Sequence, residues 1–148
     1  MKEIRTSKYR KQITEICKII CAQLKIKVPK ICISNSFESD TQMARYIPEL
    51  HQLELGNSFS NELDMYFAIA HELRHIYQYK NNLYDFSKYE SNDNTDIHTY
   101  NNQDIEIDAN AYAYIFIVYY FHMEPLFTGL SEDIINKIKK RAEKIAQE

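Results

Sequence analysis

The sequence is poor in residues that interrupt compact domains, with two Gly and three Pro among 148 residues and no Trp. This scarcity argues against linkers and low-complexity segments, and the length suits one domain over residues 1–148. No run approaches the roughly 18 apolar residues that indicate a membrane span. Residues 1–5 are not followed by an apolar segment, so we expect neither a secretory signal nor contact with a membrane.

Cysteine is scarce and odd in number. Cys17 and Cys21 fall on the apolar stripe of a predicted helix, and Cys32 falls in a predicted strand. We interpret all three as small buried hydrophobic residues. A metal site built on Cys17 and Cys21 is disfavoured, because no third partner lies near them in sequence. This cysteine usage is typical of a reducing, cytoplasmic location.

The charges are unevenly distributed, although the net charge is only -3. The first thirty residues carry nine Lys and Arg against Glu3 and Glu15, whereas residues 31–110 are strongly acidic. A basic first helix suits nucleic acid or an acidic partner. No nucleic-acid-binding motif accompanies it, so we interpret it as a solvated helix face and do not expect nucleic acid as a partner.

Apolar spacing predicts the outer helices and the strands. It predicts an amphipathic helix over residues 7–25 and a last helix that begins after Ser131. Short β-branched or alternating runs predict strands at 31–33, 44–47 and 51–55. The edge of the last strand, if free, would suit pairing with an extended substrate, although a plain sheet strand explains the same pattern.

Two polar stretches lack a period. Residues 34–42 are expected to form a loop. Residues 80–103 are rich in Asn, Asp, Ser and Tyr. A run this long indicates a functional loop or partial disorder, and it would suit the rim of a cleft.

One motif has direct chemical meaning: His71-Glu72-x-x-His75. Residues four apart share a helix face, so the two imidazoles can point at one metal ion. Glu72 is placed to accept a proton from a water molecule that the metal activates. This is the spacing of a zinc peptidase helix, although a solvated helix face matches so short a motif by chance. Helical periodicity predicts a helix over 61–79, with Ser60 as the N-cap.

A catalytic zinc site takes three protein ligands and keeps one open position. The pattern with a Gly and a third His after H-E-x-x-H is excluded, because Gln78 and Asn81 occupy those positions. Residues 104–120 predict a buried helix with acidic residues near its start. A metal ion would explain a buried carboxylate there, and the helix dipole is the alternative explanation.

We expect Glu106 to be the third ligand. Asn110 lies one turn later and is expected to hydrogen-bond a ligand imidazole. His98 is the rival third ligand, because zinc accepts either donor type. Asp104 and Asp108 are expected on other faces of the helix or at its frayed end.

The two motifs together resemble those of the ImmA/IrrE metallopeptidases, whose pattern is H-E-x-x-H followed by E-x-E-A-N/D-x-F-A. The resemblance covers roughly residues 50–117. The second motif of this chain reads Glu106-x-Asp108-Ala109-Asn110-x-Tyr112-Ala113.

The resemblance implies a compact α+β zincin-like domain. In such a domain a small antiparallel sheet packs on the H-E-x-x-H helix and on a second ligand-bearing helix, with N- and C-terminal helices added. The resemblance also implies Zn²⁺ held by His71, His75 and Glu106, with Glu72 as the general base. Family members often belong to phages or mobile elements, and several cleave a helix-turn-helix repressor encoded nearby.

The chain departs from the family pattern in four places. Arg74 replaces the usual Gly, Asp108 replaces the second Glu, residues 114–117 replace Leu-Leu-Met-Pro, and the polar insert is atypical. We expect Arg74 to lie beside the site and to alter substrate access. These changes concern the substrate more than the metal.

The predicted reaction is hydrolysis of a peptide bond in a protein or peptide, with Glu72 accepting the proton and passing it to the leaving amine. A further donor should stabilise the oxyanion, and Tyr77, Tyr100 and His98 all remain open. The alternative is a metal-binding interaction module that sequesters a protein partner without cutting it. The intact Glu72 argues against that alternative, because binding alone needs no base.

Overall fold

The computed structural model describes residues 3–35, 37, 43–91 and 94–148. Most of the predicted 34–42 loop therefore lies outside the described residues. The architecture is α+β, as predicted. The α-helices of the described part are α1 (Arg10–Leu24), α2 (Glu62–Lys80), α3 (Ile97–Asn101), α4 (Asp104–Phe121) and α5 (Glu132–Ala146). Its strands are β1 (Ile4–Arg5), β2 (Lys30–Ser34), β3 (Ala44–Ile47), β4 (Gln52–Gly56) and β5 (Ser58–Phe59).

The described strands form a three-stranded sheet in the order β2-β4-β3 and a two-stranded pair, β1 with β5. The larger sheet is mixed rather than wholly antiparallel, since β4 runs parallel to β2 and antiparallel to β3. In chain order, β2 and β3 form the two edges of this sheet, and β4, which follows them, lies between them. The strand predicted at 51–55 is therefore central among the described strands, which supports a plain sheet strand over a strand that pairs with substrate. The edge strand that packs against α2 is β3.

The first helix begins as a 3-10 turn, Thr6–Tyr9, before α1, and it ends at Lys25 in the left-handed conformation with φ 56°. The apolar stripe of α1 packs into the main core. The predicted burial of Cys17 and Cys21 is confirmed, while Cys32 on β2 is half-buried.

The core of the molecule brings α2 against α4 and α4 against α5. The N-cap of α2 is Asn61 rather than Ser60, because the Asn61 Oδ1 accepts from the Asp64 N–H at 2.8 Å. Buried Ala109 and Ala113 let α4 approach its neighbours closely. Helix α4 is apolar nearly all round because α2 covers one side and α5 covers another. Among the described residues, no helix has the length and apolar character needed to cross a bilayer.

The polar segment 80–103 has more structure than its sequence suggests. It contains a 3-10 turn, Phe86–Lys88, and the short helix α3. Asp96 caps α3 by accepting from the Thr99 N–H at 2.9 Å. The Gln103 side-chain amide accepts a hydrogen bond from the Glu90 N–H and donates one to the Glu90 carbonyl. Side-chain caps and hydrogen bonds of the Gln103 amide hold this segment, which explains why its sequence shows no apolar periodicity.

Candidate metal centre

The two motif histidines meet the carboxylate of Glu106 at the interface of α2 and α4. The Nε2 atoms of His71 and His75 lie 3.0 Å apart. The Glu106 Oε1 lies 3.1 Å from the His71 Nε2, and its Oε2 lies 3.1 Å from the His75 Nε2. The Glu106 side chain is 1 % exposed. The structure therefore brings together the three side chains that the sequence predicts as ligands.

Two side-chain amides fix which ring nitrogen of each histidine carries the proton. The His71 Nδ1 lies 2.7 Å from the Asn110 Oδ1, which is the predicted contact, and the His75 Nδ1 lies 2.8 Å from the Gln78 Oε1. An amide oxygen only accepts, so each Nδ1 carries a hydrogen, and in the neutral imidazole the lone pair is then on Nε2. Both lone pairs point into the cluster, as metal ligation requires.

Gln78 was not identified from the sequence, yet it links the centre to a buried ion-pair network. Its Nε2 donates to the Ile105 carbonyl at 2.9 Å and to the Asp108 Oδ2 at 2.8 Å. Asp108 also accepts from Arg74 at 2.7 and 3.0 Å and from Arg141 at 2.7 Å. The Ile105 carbonyl and the Asp108 carboxylate only accept, so the Gln78 nitrogen must face them and the Gln78 oxygen must face His75.

The expectation that Arg74 borders the substrate path was wrong. Arg74 is 3 % exposed, and it turns inward because Asp108, which is fully buried, supplies its counter-charge. Burial alone would raise the pKa of the Asp108 carboxyl, but the hydrogen bonds and charge of Arg74 hold it below its ordinary value. The network thus supports the α2–α4 interface from behind the metal centre.

Two phenols from the polar segment approach the other side of Glu106. The Tyr89 hydroxyl donates to the Glu106 Oε2 at 2.8 Å, and the Tyr89 and Tyr100 hydroxyl oxygens lie 3.2 Å apart. Burial, followed by the charge of Glu106, raises the pKa of both phenols, which keeps them neutral donors. Tyr100 was among the predicted oxyanion donors, whereas Tyr89 was missed.

The other two predicted oxyanion donors lie elsewhere. The Tyr77 ring packs under the Arg74 guanidinium, 4.4 Å from it, on the side that faces α4. His98 is exposed on α3, near the carboxylates of Asp96 and Asp133. Among the described residues, neither contacts the two motif imidazoles, whereas Glu106 lies 3.1 Å from each of them.

Glu72 lies beside the three converging side chains. Its Oε2 is 3.8 Å from the His71 Nε2, and the backbone N–H of Tyr46 donates to its carboxylate. Burial raises the pKa of this carboxyl, and the nearby charges of His75 and His71 only partly offset the effect. A carboxylate oxygen of Glu72 thus lies within 4.8 Å of a ring nitrogen of each imidazole, farther from the His71 Nε2 than Glu106 does.

The electrostatics of the cluster favour a cation. Burial raises the pKa of Glu106, but the charge of His71 and the hydrogen bonds of both imidazoles outweigh it and hold that pKa well below its ordinary value. Burial lowers the pKa of His75, yet Glu106 and Glu72 together raise it to about 9. Two carboxylates thus stabilise positive charge between the rings.

The donor set fits Zn²⁺. Two imidazole nitrogens and one carboxylate match the ligands of catalytic zinc, and the amide partners of the imidazoles match its usual supporting hydrogen bonds. Tetrahedral zinc with bonds of about 2.0–2.1 Å places neighbouring ligand atoms roughly 3.3 Å apart. The two Nε2 atoms lie 3.0 Å apart, and each lies 3.1 Å from a different oxygen of Glu106, so the separations are a few tenths of an ångström shorter.

Two cavities flank the centre. The first, of about 620 Å³, has Glu72, His75 and Tyr89 in its wall. The second, of about 510 Å³, has Tyr100 and Asn110 in its wall. The polar segment contributes to both walls, as expected for the rim of a cleft.

Comparisons with known proteins assign no family to this chain. No protein-family model matches it, and no curated protein or solved structure is significantly similar to it. Its function has to be inferred from its own residues and their geometry.

Proposed function

We propose that this protein is a zinc-dependent endopeptidase of the H-E-x-x-H type. The observation that carries the proposal is the meeting of Glu106 with His71 and His75, with a carboxylate oxygen 3.1 Å from each Nε2. The amide partners at each Nδ1 leave both Nε2 lone pairs directed at the same point. Glu72 lies next to this point without belonging to the ligand set.

Each side chain then has a defined role. His71, His75 and Glu106 would hold zinc through two nitrogens and a carboxylate. The chemistry that zinc supplies in such a site is activation of a water molecule and polarisation of the scissile carbonyl. Glu72 accepts the proton of the attacking water and passes it to the nitrogen of the leaving amine. The Tyr46 N–H holds the Glu72 carboxylate in position for both transfers.

Tyr100 is the donor that we assign to the oxyanion. Its hydroxyl group is kept neutral by burial and by the charge of Glu106, and Glu72 acts on it as well. We assign Tyr89 a different role, because its hydroxyl donates to the Glu106 Oε2 at 2.8 Å and lies 3.2 Å from that of Tyr100. Tyr77 and His98 are turned to other partners.

The proposed substrate is a protein. The resemblance to the ImmA/IrrE pattern nominates a helix-turn-helix transcriptional repressor. A cytoplasmic location is proposed with it. Free thiols at Cys17, Cys21 and Cys32 suit a reducing compartment.

Zinc content and cleavage of a library of internally quenched peptides test the proposal. Wild-type protein should carry about one zinc ion per chain. His75→Ala and Glu106→Ala should lose zinc and cleavage, whereas Glu72→Gln should keep zinc and lose cleavage. His98→Ala is the matched control and should keep both.

The contradicting results are specific. A purified protein without stoichiometric zinc would refute the metal centre, and so would loss of zinc in His98→Ala with retention in Glu106→Ala. Full zinc content with no cleavage of any peptide would instead support the alternative, a metal-binding module that sequesters a partner.

A further inference from the structure

We infer that the centre accepts an internal, extended segment of a protein and places one bulky apolar side chain of that segment in the cavity beside Glu72 and His75. The inference rests on the proposed peptidase function and adds the class of substrate. It depends on the shape and lining of the two cavities and on the path of β3 between them.

The cavity beside the base, of about 620 Å³, falls in the size range of roughly 300–1,000 Å³ that is usual for ligand pockets. Glu72 and His75 belong to its wall, so a side chain inside it lies next to the reacting groups. An apolar wall favours an apolar occupant because both surfaces leave water. Most of the remaining wall is aliphatic or aromatic, formed by Ile26, Tyr46, Pro48, Ile76, Tyr79 and Phe86.

The polar groups of this wall are largely engaged within the protein. The Tyr46 hydroxyl lies 2.7 Å from the His51 Nδ1, and the His51 Nε2 lies 3.1 Å from the Lys27 carbonyl oxygen. A carbonyl only accepts, so Nε2 carries the proton and Nδ1 accepts from Tyr46. The Lys80 amine donates to the Lys25 carbonyl at 2.6 Å. These groups already have hydrogen-bond partners within the protein, so the cavity disfavours a polar side chain of the substrate.

Two aromatic side chains form an outer wall that belongs to no core cluster. The rings of Tyr79 and Phe86 meet edge to face, with centroids 5.6 Å apart. Tyr79 is 71 % exposed, so its ring is free to cover an apolar group that enters the cavity. Phe86 belongs to the polar segment 80–103, so this segment supplies part of the outer wall.

The edge strand β3 links the two cavities. Tyr46, on β3, and Pro48, just after it, line the first cavity, and Met43, just before the strand, lines the second. The Tyr46 N–H reaches Glu72, which places the outer edge of β3 at the catalytic groups. A chain that follows this edge from Met43 to Pro48 covers about 16 Å, or roughly five extended residues.

Lined space thus extends in both directions along β3, with Glu72 and His75 in the wall of the first cavity and Asn110, the hydrogen-bond partner of His71, in the wall of the second. Here both sides offer walls for side chains, so we assign an internal segment. Lys27 and Lys80 also line the first cavity. A carboxylate side chain is therefore the alternative to an apolar side chain as its occupant.

Peptide binding by the Glu72→Gln protein tests the inference without requiring turnover. The probes are peptides of roughly eight residues, acetylated and amidated at their ends, that differ only in a central Phe, Ala or Asp. Fluorescence anisotropy should show the Phe peptide binding roughly tenfold to a hundredfold more tightly than the Ala peptide. Binding of the Asp peptide should be no tighter than that of the Ala peptide.

Variants of the aromatic wall assign the preference to the cavity. Tyr79→Ala and Phe86→Ala, each combined with Glu72→Gln, should reduce the Phe-over-Ala preference about threefold or more. Tyr119→Ala is the matched control, since Tyr119 is 68 % exposed on α4 and lines neither flanking cavity. It should leave the preference unchanged.

Several results would overturn the inference. They are equal affinity for the Phe and Ala peptides, a preference that survives both wall variants, binding restricted to peptides with a free carboxyl end, and no measurable binding of any probe. Failure of the peptidase proposal is separate, because it is read from zinc content and cleavage by the wild-type protein rather than from binding preference.

Discussion

Replacing Gln78 by Leu tests whether the buried amide holds His75 in the state that binds metal. Gln78 is fully buried and makes hydrogen bonds of 2.8 Å to the His75 Nδ1, 2.9 Å to the Ile105 carbonyl and 2.8 Å to Asp108. Leu has a similar size but neither accepts nor donates. The His75 Nδ1–H then loses its acceptor, and nothing opposes a shift of the proton to Nε2, where it would block ligation.

The expected effect on zinc is large. Loss of a hydrogen bond that supports a ligand histidine typically lowers metal affinity by about 10–100-fold, and we expect that range for Gln78→Leu. Folding should also weaken by roughly 1–3 kcal/mol, because the His75 N–H loses its acceptor and the buried Asp108 loses one of its donors. Zinc affinity is measured by competition with a chromogenic chelator, and folding by urea unfolding of the metal-free protein.

Gln23→Leu is the matched control. The Gln23 Oε1 accepts from the Tyr112 hydroxyl at 2.9 Å, on the side of α4 that faces α1. The substitution removes a hydrogen bond of the same kind without touching the metal centre. It should reduce stability by about 1 kcal/mol and leave zinc affinity unchanged. The reasoning is refuted if Gln78→Leu binds zinc as tightly as wild type, or if Gln23→Leu loses as much affinity.

Three further predictions concern the surroundings of the centre. Asp108→Asn should lower the free energy of unfolding by about 3–5 kcal/mol, because it leaves the buried Arg74 without a counter-charge; a loss below about 1 kcal/mol in urea unfolding would contradict this. Tyr89→Phe removes the donor to the Glu106 Oε2 and should weaken zinc binding roughly tenfold in the chelator assay, so an unchanged affinity would count against that contact. Burial raises the pKa of the Cys17 thiol to about 12 from its ordinary 9.0, so the stability it contributes is complete below pH 9 and is lost as the pH rises towards 12. Wild type should therefore lose about 1.4 kcal/mol more than Cys17→Ala between pH 8 and pH 10, and equal losses would show that the thiol does not titrate in this way.

The parts of the centre that could be predicted are those set by local geometry. His71 and His75 lie four residues apart on an uninterrupted helical pattern, and a helix forces such a pair onto one face. Glu106 was identifiable because a carboxylate stands among apolar residues on a helix that has to be buried. Asn110 followed from the same helix, one turn further on.

The parts that could not be predicted depend on contacts between distant segments. Tyr89 reaches Glu106 from a segment without periodicity, whose fold is set by Asp caps and by the Gln103 amide. The place of β4 between β2 and β3 depends on pairing across the sheet, which strand patterns alone do not specify. A signal for Gln78 was present, since it follows His75 by three residues on the same helix face.

Arg74 and Asp108 show how two departures from a motif can explain each other. Each differs from the ImmA/IrrE pattern, and each was read alone as a change near the substrate. The structure joins them in a buried pair with contacts of 2.7 and 3.0 Å. A large cation in place of Gly needs room and a counter-charge, and the acid on α4 supplies the counter-charge. Reading the two substitutions as a pair would have placed Arg74 inside the protein.

The most direct test of the metal centre is an anomalous difference map, recorded at the zinc edge, from crystals of the zinc-loaded protein. We expect one strong peak bounded by the Nε2 atoms of His71 and His75 and by the Glu106 carboxylate, with Glu72 outside bonding distance. A zinc peak beside His98 or the Cys17–Cys21 pair, with none between α2 and α4, would contradict the assignment.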